Sequence, residues 1–182
     1  RAAYATEPYW GRPIAGWGSS TPRVLVIGLA PAAHGGNRTG RIFTGDRSGD
    51  WLYAAMHAQG FASQPESVRR GDGLELRDAF ITAGARCAPP DNKPTRDEFA
   101  NCRPWLVGEL ELLTRMRVVI ALGGLAWNEF LLAWAAFGQD VPKPKPKFKH
   151  EAEVALGKVT LLGSFHPSQQ NTSTKKLTKP ML

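Results

Sequence analysis

Four short apolar runs, each closed by turn-forming residues, constrain the fold more than any other feature of the chain. They are Val24-Leu25-Val26-Ile27-Gly28-Leu29, Ala79-Phe80-Ile81-Thr82-Ala83, Val118-Val119-Ile120-Ala121-Leu122 and Val159-Thr160-Leu161-Leu162-Gly163-Ser164. Near-continuous apolar character over five or six residues suits strands buried on both faces, as in a parallel sheet. Parallel neighbours need crossover connections, and the sequence supplies helices for them. Asp46 or Ser48 is placed to cap a helix in which Leu52, Ala55, Met56 and Gln59 keep helical spacing as far as Gly60. Thr95 with Glu98 forms a capping box, and the helix it opens carries Phe99, Cys102, Leu106, Leu110 and Leu113 on one stripe. Gly123-Gly124 turn the third run into a further helix reaching about Phe137. Strands alternating with helices predict an α/β sandwich around a mostly parallel sheet, as one domain over residues 1–182.

At 182 residues the chain can bury a core without help from disulfides or a metal. With 42% hydrophobic and 21% charged residues, general disorder is excluded. No apolar run nears the roughly 18 residues of a membrane span, and no secretory signal opens the chain. The protein is therefore expected to be cytoplasmic, without membrane association. It begins at Arg1 rather than methionine, so its natural N-terminus is expected to lie further upstream. A net charge of +7 favours a polyanionic partner.

The remaining segments read as connections. Residues 1–22 form an irregular arm, with Tyr9, Trp10 and Trp17 packing on a core. Residues 61–76 read as an exposed connection, and Lys143-Pro144-Lys145-Pro146-Lys147-Phe148-Lys149 as an extended, solvated loop. Three polar segments stand out because each follows one of the apolar runs: a Gly-rich loop at 30–46, a Pro-Asp-Asn loop near 87–94 and a His-Pro-Ser loop from 166. In open α/β sheets ligands bind beyond the carboxyl ends of the strands, so this coincidence predicts one composite site.

Residue by residue, bland and functional readings compete. The Gly-rich loop is neither a phosphate-binding Walker loop nor a Gly-x-Gly-x-x-Gly dinucleotide turn, yet its amides can approach an anion. Phe43 suits a core position as well as a ligand, and Asp46 suits a helix cap. Asn92 is either a turn residue or a reader of an amide-like heterocycle, since its side chain both donates and accepts. His166 is either structural or aimed into a cleft from a strand end. Cys102 fits the apolar face of its helix; with Cys87 it supplies only half of a metal site, and no Cys-x-x-Cys or His pair completes it.

Taken together, these segments resemble the uracil-DNA glycosylase superfamily, specifically its family 5, the B-type enzymes. Gly28-Leu29-Ala30-Pro31-Ala32 is similar to the family's first motif, and Gly36-Asn37-Arg38-Thr39-Gly40-Arg41-Ile42-Phe43-Thr44-Gly45-Asp46 to its extension. Arg86-Cys87-Ala88-Pro89-Pro90-Asp91-Asn92-Lys93-Pro94 matches the central block. His166-Pro167-Ser168-Gln169-Gln170-Asn171-Thr172 matches the last motif. The likeness runs from about Tyr9 to Leu182. It implies a three-layer α/β/α sandwich with a central four-stranded parallel sheet. It also implies removal of uracil and related deaminated or damaged bases from DNA, by one copy of the chain.

By the same resemblance, Phe43 stacks on the extruded base, Asn92 reads its Watson–Crick edge, His166 approaches the uracil O2 and Asp46 holds the attacking water. Other branches carry Asp or Asn where this chain has Ala30, which here only lines the base site. The loop from Ser168 to about Lys176, with Gln169, Gln170, Asn171 and Lys175, is expected in the DNA minor groove. Asn37, Arg38 and Thr39 are also expected at the DNA. The family carries a four-iron four-sulfur cluster on four cysteines. Cys87 and Cys102 correspond to two of them, and the other pair is expected upstream of Arg1. Two other classes compete with this reading: a catalytically silent nucleic-acid-binding relative and a redox protein built on the cysteines.

Overall fold

Each apolar run becomes a strand because its side chains find a hydrophobic layer on both faces. The structure, a computed structural model, describes residues 4–182; Arg1 to Ala3 of the N-terminal arm and of the expected domain lie outside the described residues. The strands are β1 (Trp17–Gly18), β2 (Val24–Gly28), β3 (Ala79–Ala83), β4 (Val118–Leu122), β5 (Glu153–Leu156) and β6 (Val159–Ser164). They form one sheet in the order β1-β3-β2-β4-β6-β5, in which β3, β2, β4 and β6 are parallel. The helices are α1 (Gly36–Thr39), α2 (Arg47–Ala58), α3 (Arg96–Leu112), α4 (Gly124–Ala136) and α5 (Gln169–Ser173).

Side-chain alternation assigns the layers. Leu25 and Ile27 of β2, with Val119 and Ala121 of β4 and Leu161 of β6, pack under Leu106 and Leu110 of α3 and Trp127 and Phe130 of α4. Val26, Ile81 and Leu122 point the other way, toward Leu52, Tyr53 and Met56 of α2. The result is the expected α/β/α sandwich. Its sheet has six strands instead of four, because short antiparallel strands β1 and β5 are added at the two edges. An edge strand needs little more than backbone pairing, so no apolar run announces it.

Two connections differ from expectation. Residues 61–76 are not a solvated link: Ala62 bridges Leu76, and Ala62, Ser67, Leu74 and Leu76 are buried. The 143–149 segment keeps its lysines in water but is anchored. Trp127 Nε1 donates to Pro146 O at 3.0 Å, and Phe148 packs against Trp127 with ring centroids 6.0 Å apart. The N-terminal arm does deliver aromatics, with Trp17 6.1 Å from the ring of Tyr53. Buried Arg86 holds the arm by donating to Ile14 O and pairing with Glu109 at 2.7 Å.

The parallel register brings the strand ends level. Gly28 pairs with Ala83, and Leu122 with Ser164. All three unusual loops therefore leave from one rim. From adjacent β2 and β4 the chain departs to opposite faces, through α2 and α4, which opens a crevice between the two strand ends.

Candidate active site at the strand rim

The Gly-rich loop is built outward from β2 and shaped by a buried polar clamp. Arg41, 6% exposed, donates to Thr44 Oγ1 at 2.9 Å, Ser67 Oγ at 2.8 Å and Asp72 Oδ2 at 2.7 Å. Burial alone would raise the Asp72 carboxyl, but Arg41 and the amides of Leu74, Val68 and Arg69 outweigh it and hold the group well below the usual carboxylate range. Tyr53 OH donates to Ile42 O at 3.1 Å, and its burial pushes the phenol far up. Between these anchors Phe43 adopts φ +53°, a left-handed conformation that an aromatic residue reaches only when its surroundings enforce it. Its ring lies on Gly28, where an added Cβ would meet Phe43 Cζ at 2.7 Å. Phe43 is 7% exposed, so it belongs to the core and at the same time faces the rim.

Asp46 ends the loop and starts α2. Its Oδ1 accepts from the Gly49 amide at 3.0 Å, which is the N-cap expected from the sequence. The backbone of Gly35 closes on the same carboxylate so tightly that a Cβ there would lie 2.0 Å from Asp46 Oδ2. From the other side of the crevice, β6 delivers His166. Its ring centroid is 5.7 Å from that of Phe43, at 31°. Burial lowers its pKa, and the nearby charge of Asp46 partly opposes the shift. Neither ring nitrogen has a hydrogen-bond partner among the described residues. The backbone of His166 is fixed by Asn171 Nδ2, which donates to its carbonyl at 2.8 Å.

The second loop reaches the same place. Asp91 and Asn92 take φ of +52° and +55°, so two consecutive non-glycine residues are left-handed, a conformation Asn and Asp tolerate best. Asn92 is exposed and, with Asp46, Arg47, Asp50, His34 and Gln169, lines a cavity of about 480 Å³. The three loops thus meet in one composite site, as their positions after the strands predict.

Other expected contacts are distributed differently. Arg38 is turned inward: it donates to His34 O at 2.9 Å, pairs with Glu7 at 2.6 Å and lies over the Tyr4 ring. Thr39 Oγ1 donates to Gly35 O at 3.1 Å, and Asn37 Nδ2 reaches only Ala33 O, at 3.5 Å. These side chains brace the loop. Ser168 caps α5 by accepting from the Asn171 amide, so Ser168 and Asn171 also serve the loop's shape. Gln169, Gln170 and Lys175 are exposed, and Lys175 has φ +56°. Ala30 is partly exposed just beyond β2, whereas Ala32 and Ala33 line the cavity.

Sequence reasoning missed the clamp of Arg41, Ser67, Asp72 and Tyr53, because its members come from separate segments. It also missed Asp50, one turn after Asp46 on α2; burial first, and Asp46 second, raise its pKa. The i, i+4 spacing was the available signal.

Cys87 precedes the Pro-Pro loop and Cys102 lies on α3, and both are free. Burial, then the neighbouring Cys102 and Glu98, push the Cys87 thiol up, and the Arg86 amide donates to Cys102 Sγ at 3.4 Å. Two free thiols that sense one another's charge, with an amide aimed at one of them, suit half of a thiolate-held cluster. Among the described residues no group of three or more His, Cys, Asp or Glu side chains is placed to hold a metal. No described helix is long and apolar enough to cross a membrane.

A three-layer sandwich with polar loops converging at its switch point defines a broad class of ligand sites, and comparison with known proteins specifies it. Residues 15–182 match the family model described as the uracil DNA glycosylase superfamily, and the chain belongs to that superfamily. Within it, the stronger likeness is to the type-5 branch. The chain is 54% identical over 184 residues to the type-5 uracil-DNA glycosylase of Mycobacterium bovis, covering 100% of this chain and 67% of that protein. It is 48% identical over 182 residues to the type-5 enzyme of Thermus thermophilus, covering 100% and 80%. Identity to the type-4 uracil-DNA glycosylase of Pyrobaculum aerophilum falls to 30% over 156 residues, covering 85% and 71%.

Proposed function

We infer that the protein removes uracil from DNA by hydrolysing the N-glycosidic bond, leaving an abasic site. The observation that carries this reading is the meeting of Asp46, Asn92 and the Phe43–His166 pair at one rim of a fold shared with type-5 uracil-DNA glycosylases. A base stacked in a duplex is out of reach and has to be flipped out, at a cost of a few kcal/mol. Phe43 offers an aromatic platform beside the crevice, and base–aromatic stacking returns about 1–3 kcal/mol. Asn92, with no side-chain partner among the described residues, has donor and acceptor available for the base edge.

Bond cleavage leaves positive charge on the sugar and negative charge on the departing uracil. His166, neutral because it is buried, can donate one hydrogen bond to the uracil O2 as that charge grows. Asp46 caps α2 through Oδ1 and lines the cavity with the rest of its carboxylate, and there it orients water and balances the sugar charge. One copy of the chain brings all three loops, so the site works as a monomer. Related deaminated bases that present the same edge are substrates of the same site. As an enzyme of DNA, it is proposed to work in the cytoplasm, at the nucleoid. The test is release of free uracil, with an alkali-labile abasic site, from uracil-containing duplex DNA. Binding without release identifies a catalytically silent relative instead.

We further propose that Cys87 and Cys102 hold one side of a four-iron four-sulfur cluster, completed by two cysteines outside this sequence. Its role is structural, tying the segment before the arm to the Pro-Pro loop that carries Asn92. The full-length protein, purified anaerobically, is expected to be brown and to contain iron. A colourless, iron-free preparation with full activity would return the two cysteines to a packing role.

A further inference from the structure

The turn between Ser67 and Asp72 is more rigid than an exposed loop requires. Asp72 Oδ2 accepts from the amides of Val68 at 2.9 Å and Arg69 at 3.2 Å, and Asp72 Oδ1 from Leu74 at 3.1 Å. Buried Arg41 ties the same carboxylate and Ser67 together from beneath. What this clamp presents outward is Val68, 62% exposed, followed by exposed Arg69 and Arg70. A solitary exposed valine is ordinary. One held rigidly ahead of two arginines at the edge of a site is a different matter.

The turn borders the cavity directly. The Gly45 amide donates to Ser67 O at 2.9 Å, and Val68 O lies 3.3 Å from where a Gly45 Cβ would stand; Gly45, Asp46 and Arg47 are cavity wall. Alongside, Trp10 is 37% exposed and packs on Gly40, with the Arg70 guanidinium 5.0 Å and the Arg12 guanidinium 5.9 Å from its ring. The arm is stitched there by the Trp10 amide to Arg38 O at 3.1 Å and the Gly11 amide to Asn37 O at 3.2 Å. Arg12, Arg69 and Arg70 form no ion pair with any acidic side chain among the described residues. By contrast Arg23, Arg38, Arg41, Arg86 and Arg103 all do.

We propose that the 67–72 turn, with Trp10 and Arg12, is a second DNA-contact surface. Arg69 and Arg70 bind backbone phosphates of duplex flanking the extruded nucleotide, and Val68 packs against the adjoining sugar. This rests on the uracil-excision reading above and adds a contact to the one expected from the 166–176 loop. Arginines outside any ion pair bind phosphate without giving up an internal salt bridge. A rigid turn adds little ordering cost on association.

The experiment compares the chain with R69A/R70A. Two substrates are used: a uracil-containing duplex long enough to reach the turn, and a short single-stranded oligonucleotide that ends beside the uracil. Each phosphate neutralised on B-DNA contributes about −0.9 to the slope of log affinity against log salt. The duplex slope of R69A/R70A is expected to be shallower by about 1.8, and its ratio of duplex to short-oligonucleotide kcat/KM to fall about tenfold. R69K/R70K, which keeps both charges, should restore the slope. An unchanged slope and ratio in a folded R69A/R70A overturn the proposal. If R69A/R70A fails to fold, R69K/R70K against R69Q/R70Q supplies the same comparison. Absence of excision by the unmodified chain on both substrates would defeat the uracil-excision reading instead.

Discussion

His166→Ala is expected to slow single-turnover excision of uracil by about 10²–10³-fold while binding to abasic DNA stays nearly intact. Removing one preorganised donor from a site where negative charge develops costs about 3–4 kcal/mol in the transition state and little in the ground state. The structure gives the donor its preorganisation. Asn171 holds the His166 carbonyl, and the ring is lodged beside Phe43. The pH dependence follows from the direction of its shift. Burial lowers the His166 pKa below its ordinary 6.5, so the neutral imidazole predominates at pH 7 and is still the major form at pH 6.5. Any limb that His166 contributes to the pH–rate profile should therefore have its midpoint below 6.5. A limb centred at 6.5 would mean that the ring titrates as a solvated histidine and is not desolvated beside Phe43. A His166→Ala variant that folds and keeps its full rate would remove the side chain from the chemistry altogether.

The legible part of this fold is the part carried by apolar patterning. The runs from Ala79, Val118 and Val159 become strands with the expected bounds, and β2 ends at Gly28, one residue short. The capping box at Thr95 forms with both of its hydrogen bonds. What patterning could not reveal is long-range polar pairing. Nothing near Asp72 announces that its carboxylate will meet Arg41, 31 residues earlier in the chain, and fix the loop that positions Phe43. The same limit explains Arg38. The loop folds back so that Glu7 and the His34 carbonyl hold its guanidinium, pairings that no local pattern announces. The composite site was legible at the level of loops, since parallel strands of similar length must end on one rim. It was not legible at the level of atoms. The approach of Gly35 to Asp46, and the left-handed backbones of Phe43 and Asn92, emerge only from the folded chain.

Asp46 serves two purposes, and the two can be separated. One oxygen caps α2 through the Gly49 amide, while the other is covered by the Gly35 backbone at the cavity wall. Asp46→Ala removes both functions. It should lower the excision rate for every base alike, because water is common to all substrates, and cost about 1 kcal/mol of stability through loss of the cap. Asp46→Asn keeps an N-cap oxygen of comparable quality and removes only the charge. Its melting temperature should therefore stay close to that of the unmodified chain while its rate falls with that of Asp46→Ala. Gly35→Ala approaches the same carboxylate from outside: a methyl group 2.0 Å from Oδ2 has to displace it, so the rate should fall although Asp46 is still present and charged. Single-turnover rates and thermal melts of the three variants distinguish the roles. If Asp46→Asn melts normally and excises at the full rate, the carboxylate is a helix cap alone. The attacking water would then be positioned by the backbone of the loop that follows β2.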